Sequence, residues 1–344
     1  MNYGIVGCGI IANIHANALH ALAPEGACLY AVCDILTDKA DAFAEKHGAR
    51  KIYYDYGELV RDPEIDIVCV CVPSGIHGEV VEAAARAGKA IVCEKPMEIR
   101  PERILEVTKA VRECGVKMQC IFQRRLMPAA IAVRKAVREG KLGKICLAKA
   151  QLAYYRDQAY YNSAGWRGTW ELDGGGSLMN QGVHGVDLIT WMMNDEIDTI
   201  YGKALTLSRE IAVEDTAAAV LSMKSGALCM IESATIAYPG YDTEFTIYGD
   251  KGTVCFGDEG VKAWEFIDKE DAPEKPDNMC EAVGGSKCAY DIGLTGHIYL
   301  LRDIAGAVKE DREPLIPPEE AYRAVKVITS IYESTKTGAP VEYN

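Results

Sequence analysis

The chain has 344 residues, a length that exceeds one ordinary hydrophobic core and predicts two domains. Hydrophobic residues make up 49% and charged residues 25%, which is the composition of a packed protein. Lysine and arginine (37) are outnumbered by aspartate and glutamate (50), and the net charge of -13 argues against nucleic acid or an acidic membrane surface as a partner.

The first third of the chain alternates short apolar strands with amphipathic helices, which predicts a doubly wound parallel sheet over residues 1–122. The predicted strands are Tyr3–Val6, Leu29–Cys33, Ile67–Val72, Ala90–Cys93 and Lys117–Ile121. The predicted helices are Ile11–Ala23, Thr37–Lys46, Gly78–Ala87 and Pro101–Glu113.

Residues 123–344 change to a run of alternating strands, which predicts an α+β domain with a large, mainly antiparallel, open sheet. The predicted strands are Lys144–Tyr154, Thr199–Ser208, Asp215–Met223, Leu228–Ile236, Thr243–Tyr248 and Thr253–Gly257. The predicted helices are Pro128–Arg138, Ser177–Met193, Ile292–Lys309 and Pro318–Lys336, and Asp268–Lys287 is predicted to be a surface loop. No apolar run is long enough to cross a bilayer, and a strand pattern starts within two residues of Met1, so neither a membrane span nor a signal peptide is expected.

The sequence Gly7-Cys8-Gly9-Ile10-Ile11-Ala12 follows the first strand and opens the first helix. This is a dinucleotide-binding fingerprint, in which Gly7 permits the tight turn, Gly9 admits the pyrophosphate, and Ile10 and Ile11 begin the helix that faces it. Asp34 ends the second strand, where an acidic side chain accepts ribose hydroxyls and repels a 2′-phosphate. The domain is therefore predicted to be of the Rossmann type and to bind NAD rather than NADP.

Two further strand ends carry polar residues where doubly wound sheets bind ligands. Glu94-Lys95-Pro96 follows one strand, and Val72-Pro73-Ser74 with His77 follows its neighbour. We expect Pro73, Ser74 and His77 near the nicotinamide ribose, although His77 also fits an exposed helix start. Lys95 is a candidate functional cation, and its alternative is a solvated lysine at the end of a strand.

In the second domain, three glycines precede a predicted helix that carries Asn180, His184 and Asp187 at i, i+4 and i+7. Polar residues aligned on one face of an apolar helix must be buried against partners or line a cleft. The alternative is a histidine whose hydrogen bonds are satisfied in the core.

These motifs resemble those of the Gfo/Idh/MocA family of sugar and inositol dehydrogenases, over almost the entire chain. The resemblance implies that Lys95 is the catalytic lysine, often followed by a cis peptide at the position of Pro96, and that His184 is the general base. It also implies that Glu94 and Lys95 belong to the cofactor site and that Trp166 and Arg167 reach the cofactor. One position departs from the family pattern, because Asn180 stands where the best known inositol dehydrogenases have aspartate.

The resemblance implies an NAD-dependent oxidoreductase that acts on a secondary hydroxyl of a sugar, glycoside, nucleotide-sugar or cyclitol. The predicted substrate-binding residues are Asn180, Asp187, Tyr155 and Arg124. Two alternatives are an NAD-dependent glycosidase that oxidises the ring transiently and a non-catalytic NAD-sensing regulator.

Thirteen cysteines, many within apolar strand patterns, are typical of a reducing compartment, so a cytoplasmic location is expected. No metal site is predicted, because no CxxC pair occurs and Cys280 and Cys288 lack histidines at zinc spacing. One face of the second sheet has no second layer of helices in the sequence, which predicts a homodimer or homotetramer.

Overall fold

A computed structural model describes residues 1–276 and 293–343. The chain forms two compact units, Met1–Gln123 with Gly293–Tyr322 and Arg124–Ile292 with Arg323–Asn344. The first unit therefore includes residues 293–322, which the predicted boundary at 122/123 assigns to the second domain. Within the described ranges, no helix has the length and apolar content that a membrane crossing requires.

The first unit is built on a six-stranded parallel sheet. Its strands are β1 Asn2–Val6, β2 Cys28–Cys33, β3 Lys51–Tyr53, β4 Ile67–Val70, β5 Ala90–Cys93 and β6 Met118–Cys120. Their order is β3-β2-β1-β4-β5-β6, so successive strands are added on one side of β1 up to β3 and on its other side from β4 onward. Ligands of such sheets bind at the carboxyl ends of the strands beside this reversal of order, between β1 and β4. The predicted doubly wound sheet is confirmed.

The second unit is built on an eight-stranded sheet. Its strands are β7 Ile145–Ala153, β8 Ile197–Leu205, β9 Thr216–Met223, β10 Leu228–Ala234, β11 Glu244–Gly249, β12 Gly252–Gly257, β13 Gly260–Phe266 and β14 Val341–Glu342. The order is β13-β12-β11-β7-β10-β9-β8-β14, and only the β7–β10 pair is parallel among these strands. The predicted mainly antiparallel open sheet is confirmed.

The α-helices of the described residues are α1 Ile10–Ala21, α2 Thr37–His47, α3 Tyr56–Arg61, α4 His77–Arg86, α5 Pro101–Cys114, α6 Pro128–Arg138, α7 Gln158–Asn162, α8 Val183–Met193, α9 Thr295–Glu310 and α10 Tyr322–Thr337. A π-helical turn, Ser177–Gly182, leads directly into α8. Of the predicted final helices, the start at Ile292 lies outside the described residues, as does the part of the predicted loop from 277 to 287.

Several elements were not predicted because their sequence pattern is weak. β3 has three residues and exposes Lys51 and Ile52, and β14 has two residues. β13 pairs with β12 through an irregular register, so the alternation of its buried residues is broken. Such strands depend on a neighbouring strand rather than on a hydrophobic pattern of their own.

Candidate functional site

The loop between β1 and α1 has the geometry of a phosphate-binding turn. Gly7 has φ +94°, and a Cβ there would lie 2.5 Å from the carbonyl oxygen of Cys71, so only glycine fits. A Cβ on Gly9 would meet nothing within 4 Å, which leaves that side of the loop open to a ligand. α1 starts at Ile10, and the N–H groups of its first turn, which includes Ile11, lack intrahelical acceptors and favour an anion. These residues fit the pyrophosphate of a dinucleotide.

The carboxylate of Asp34 is fixed beside this loop. Its Oδ2 accepts a hydrogen bond from the backbone N–H of Cys8 at 2.9 Å, and its Oδ1 accepts one from Leu36 at 2.9 Å. Each carboxylate oxygen keeps a further lone pair, which suits the hydroxyls of a ribose. The next residue, Ile35, is 80% exposed and offers no cation for a 2′-phosphate.

Lys95 is the second residue after β5 and is half-buried. The Lys95–Pro96 peptide is cis, which confirms the expectation from the resemblance. His77 begins α4 and is buried, with Nδ1 2.7 Å from the carbonyl oxygen of Pro96 and Nε2 2.8 Å from that of Val72. His77 thus joins the loop after β4, which contains Pro73 and the buried Ser74, to the segment that holds Lys95. Direct contacts of these residues with the cofactor stay predictions.

Glu94, which precedes Lys95, is buried and is held by two histidines that sequence reasoning missed. Its Oε1 is 2.8 Å from Nε2 of His15 on α1 and 3.1 Å from Nε2 of His297 on α9. Burial acts to raise the pKa of Glu94, but the two imidazole hydrogen bonds hold that pKa well below its usual range. The other oxygen accepts from the backbone N–H of Lys95 at 3.3 Å.

The same three residues form the one group of metal-ligand side chains that lie close together in the described part of the chain. Their separations of 2.8 and 3.1 Å are those of hydrogen bonds, and the Nδ1 atoms of His15 and His297 are buried without a partner. If each neutral ring carries its proton on Nε2, both rings donate a hydrogen bond to Glu94. Hydrogen bonding alone then accounts for the cluster, without a metal ion. The predicted absence of a metal stays a prediction, and Cys280 and Cys288 lie outside the described residues.

In the second unit, the predicted helix Ser177–Met193 is two elements, the π-helical turn and α8. Asn180 lies in the turn and is half-buried, and His184, the second residue of α8, is also half-buried. Asp187, one turn further along, is buried. The π-helical turn has a wider spacing than an α-helix, so Asn180 and His184 do not follow α-helical geometry.

Asn180 is oriented by a network of polar side chains. Its amide nitrogen donates to Oδ1 of Asp173, a buried carboxylate before the glycine run. Its amide oxygen accepts from Nε2 of Gln181 at 3.1 Å, and the same Nε2 lies 3.0 Å from the hydroxyl of Tyr160. The two ends of the Asn180 amide are therefore distinguished, with its oxygen facing Gln181. Sequence reasoning assigned no role to Asp173 or Gln181.

The Trp166-Arg167 pair lies beside this network. The guanidinium of Arg167 lies 4.2 Å from the ring centre of Tyr160 and 4.7 Å from that of Trp166, and it donates to the Tyr160 hydroxyl. These contacts hold Arg167 within the second unit. Its predicted contact with the cofactor stays a prediction.

The remaining predicted substrate residues have partners within the second unit. Asp187 receives two hydrogen bonds from Arg125, at 2.6 and 2.8 Å. Arg124 is buried and pairs with Asp258 at 2.7 Å. Tyr155 is half-buried and contacts Tyr238 edge-to-face. The ion pairs account for Asp187 and Arg124 structurally, and the substrate roles of all three stay predictions.

Comparison with known proteins gives matches to both parts of the chain. Residues 1–122 match the family model described as an oxidoreductase family with an NAD-binding Rossmann fold, and residues 130–255 match the model of the GFO/IDH/MocA C-terminal domain. The chain is 31% identical over 262 residues to the myo-inositol 2-dehydrogenase of Thermotoga maritima, covering 74% of each protein. It is 30% identical over 256 residues to the uncharacterised oxidoreductase YrbE of Bacillus subtilis, covering 73% of this chain and 72% of that one.

A solved structure gives a match over the full length. The WlbA dehydrogenase of Bordetella pertussis, in complex with NADH and UDP-GlcNAcA, has a TM-score of 0.87 and 30% identity to this chain. The alignment covers 100% of this chain and 98% of that one. The similarity thus includes both sheets described above.

Proposed function

Since the chain belongs to the Gfo/Idh/MocA family of NAD-binding oxidoreductases, we propose that it transfers hydride between NAD and a secondary hydroxyl of a sugar, glycoside, nucleotide-sugar or cyclitol. One observation carries the proposal beyond the family. His184 is half-buried at the start of α8 and follows a turn whose polar side chains, Asn180, Gln181 and Asp173, orient one another. Such orientation is what a proton acceptor and its hydroxyl substrate need.

The first unit supplies the residues that would hold the cofactor. The open side of Gly9 and the first turn of α1 suit the pyrophosphate, and the fixed carboxylate of Asp34 suits the adenosine ribose. When bound, NAD supplies the carbon that accepts or gives up the hydride. The protein's own task is to orient the substrate and to move a proton.

We assign that proton to His184 and the stabilising charge to Lys95. A neutral imidazole accepts the proton of the reacting hydroxyl as a general base. An ammonium such as that of Lys95 favours negative charge on a reacting oxygen. Glu94, held by two histidines, fixes the end of β5 from which Lys95 projects.

Asn180 stands where the best known inositol dehydrogenases have aspartate, but the network around it still contains a carboxylate. Asp173 lies against the amide nitrogen of Asn180, so its negative charge is one side chain away. For this reason Asn180→Asp would set two carboxylates against each other, and the pair would retain a proton. We infer that Asp173→Asn is the cleaner way to remove the charge of this network.

The proposed substrate class is supported by the named relatives. One is a myo-inositol 2-dehydrogenase, and one solved structure contains UDP-GlcNAcA together with NADH. These proteins are dehydrogenases, which favours net oxidation or reduction over the glycosidase and regulator alternatives. No feature of the described residues favours either alternative.

The first experiment identifies the substrate. Purified protein is incubated with NAD and a panel of cyclitols, sugars, glycosides and nucleotide-sugars, and NADH is followed by its absorbance. Mass analysis of the purified protein shows whether cofactor is retained. NADH formation with at least one class is expected. Release of an aglycone without net NADH would instead identify the glycosidase, and no turnover in either direction with any class would contradict the proposal.

The second experiment tests the assigned residues. Lys95→Ala and His184→Ala should each lower kcat by roughly a hundredfold or more, the usual contribution of acid–base catalysis, with little change in NAD affinity. The double variant should be scarcely worse than either single variant if both serve the same step. The exposed Lys109→Ala and His20→Ala are matched controls. Undiminished turnover in His184→Ala would remove His184 from the mechanism.

A further inference from the structure

The buried carboxylate of Glu214, from the segment before β9, caps the start of the π-helical turn. Its Oε2 accepts from the backbone N–H of Gly176 at 2.9 Å, and its Oε1 accepts from that of Leu178 at 2.8 Å. No side chain within the turn caps it. The first N–H groups of a helix need acceptors, and here a residue 38 positions further along the chain supplies them.

A third donor reaches the same carboxylate from α10. The hydroxyl of Tyr332 donates to Oε1 of Glu214 at 2.9 Å. Three hydrogen-bond donors around one carboxylate favour its ionised form, because a proton on either oxygen occupies a position that otherwise accepts a hydrogen bond. Protonation of Glu214 is therefore expected to weaken the cap.

The glycines before the turn are required by this arrangement. A Cβ on Gly176 would lie 2.0 Å from the carbonyl oxygen of Glu214, and a Cβ on Gly175 would lie 2.1 Å from the Tyr332 hydroxyl. The carbonyl of Glu214 also accepts from the N–H of Ser177 at 3.0 Å. The run of glycines thus brings the backbone against Glu214 and Tyr332.

The charge of Glu214 is finely balanced. Burial raises the pKa of Glu214 to about 7, although its hydrogen bonds favour the ionised form. The negative charges of Glu214 and of Asp173, from the loop before the turn, both raise the pKa of the hydroxyls of Tyr332 on α10 and Tyr161 on α7. After burial, the largest contributions to the pKa of Glu214 are the hydrogen bonds from Leu178, Gly176 and Tyr332, which lower it. A proton on Glu214 is thus gained or lost near neutral pH.

We propose that Glu214 is a positioning residue for Asn180 and His184, and that it holds the π-helical turn in place only as the ionised carboxylate. The turn begins at Ser177, carries Asn180, and continues without a break into α8, whose second residue is His184. Loss of the cap frees the first residues of this continuous segment, and displacements of about 1 Å at a reacting group cost roughly a hundredfold in rate. The effect on turnover rests on the proposed function, whereas the cap itself does not.

Hydrogen exchange tests the cap without any substrate. Peptides spanning residues 175–181 are followed by mass spectrometry at about pH 6 and pH 8, with rates corrected for intrinsic exchange. In the unaltered protein, protection of this segment should be roughly tenfold higher at the higher pH. In Glu214→Gln, which cannot accept from all three donors, protection should be low at both. Equal protection at both pH values in the unaltered protein would overturn the proposal.

Turnover tests the positioning role. Glu214→Gln should lower kcat by roughly tenfold to a hundredfold, with NAD affinity unchanged. Glu232→Gln, an exposed residue of β10, is the matched control. Normal turnover in Glu214→Gln with low protection of the turn would remove the positioning role.

Tyr332→Phe is the second variant, since it deletes one donor and keeps the ring. Without that donor the pKa of Glu214 rises, so the acid limb of the kcat profile should move to higher pH by about half a unit or more. If Tyr332 had only a structural role, Tyr332→Phe would leave this limb where it is. The limb would also stay in place if His184 alone set it. An unshifted limb would overturn the proposal. If no substrate is turned over, the proposed function fails, and hydrogen exchange still decides on the cap.

Discussion

We predict that Asp34 determines the choice between NAD and NADP in this chain. Its carboxylate is held by two backbone N–H groups beside the glycine loop, where it would repel a 2′-phosphate. NAD should bind at least tenfold more tightly than NADP, which corresponds to about 1.4 kcal/mol or more. Asp34→Ser should narrow this difference in calorimetric titrations, whereas the exposed Asp38→Ser should not. Equal affinities in the unaltered protein would contradict this role.

His15 makes the folded chain sensitive to acid. Burial lowers the pKa of its imidazole from the ordinary value of 6.5, so below that pH the unfolded chain takes up a proton that the folded chain does not. Stability from this group is complete above about pH 6.5 and falls below it, by up to about 1.4 kcal/mol per pH unit.

His15→Gln keeps an N–H donor for Glu94 and removes the titration. Urea unfolding between about pH 5 and pH 7 should therefore show a shallower loss of stability than in the unaltered protein. His20→Gln, an exposed change on the same helix, is the control. An identical slope in His15→Gln would show that His15 is not the group responsible.

At this scale the sequence predicts residues whose chemistry is local and misses those whose partners are distant. Gly7, Gly9 and Asp34 are recognisable because each follows a strand at a fixed spacing. The two histidines that hold Glu94 are 79 and 203 residues away from it, and no local pattern connects them. The pairing of Asp173 with Asn180, only seven residues apart, was missed for a different reason, because a hydrogen bond within a loop and turn leaves no periodicity.

Among the elements, the π-helical turn is the clearest case in which tertiary contacts override local propensity. The apolar spacing of 177–193 predicts one continuous α-helix, yet the first six residues form a wider turn. The carboxylate of Glu214 and the hydroxyl of Ser233, which donates to the carbonyl of Ser177 at 2.7 Å, fix this geometry from outside the segment. π-turns of this kind are frequently found at functional sites.

Two glycines in helices predict opposite effects of the same substitution. A Cβ on Gly185 in α8 would lie 2.2 Å from Cδ2 of Leu152 on β7, so Gly185→Ala should push the helix from the sheet and destabilise the protein by about 1–3 kcal/mol. A Cβ on Gly306 in α9 would meet only the flexible end of Arg312 at 3.0 Å. Gly306→Ala should therefore stabilise by about 0.5–1 kcal/mol. Urea unfolding measures both, and effects of the same sign would contradict the packing of α8.

For the whole molecule, one face of the second sheet carries a row of exposed apolar side chains. Met230 on β10 pairs with Val220 on β9, which pairs with Tyr201 on β8, and each is more than a third exposed. α10 covers the opposite face of β8, where Gly202 donates to the hydroxyl of Ser334. Contiguous exposed apolar side chains of this kind favour association with another chain.

We therefore predict a homo-oligomer, with a mass by light scattering of two or four times 37.5 kDa. Val220→Lys, in the middle of the row, should shift the protein toward the monomer, because each interface would then bury an unpaired charge. Leu105→Lys, an exposed apolar residue of α5, should not. A monomeric mass for the unaltered protein at micromolar concentration would refute the prediction.

The first unit depends on residues far along the chain. The hydroxyl of Tyr3 donates to the carbonyl of Leu301 at 3.0 Å, and the N–H of Cys120 donates to that of Ile316 at 2.8 Å. A chain that ends at Gln123 should therefore lack cooperative unfolding in urea. Adding a peptide of residues 293–322 should restore it. Cooperative unfolding of the short chain alone, with the stability of the intact protein, would show that these contacts are dispensable.

The same discontinuity matters while the protein is being synthesised. β6 is the outer strand of its sheet, and its partner at Ile316 emerges from the ribosome only after residues 124–292 of the second unit. At ordinary rates of translation, the interval between Gln123 and Gly293 is roughly ten to thirty seconds. During that time the nascent chain presents an unpaired strand edge. Chaperone binding to ribosome-bound chains should therefore begin near residue 123 and end only when residues 293–322 have emerged.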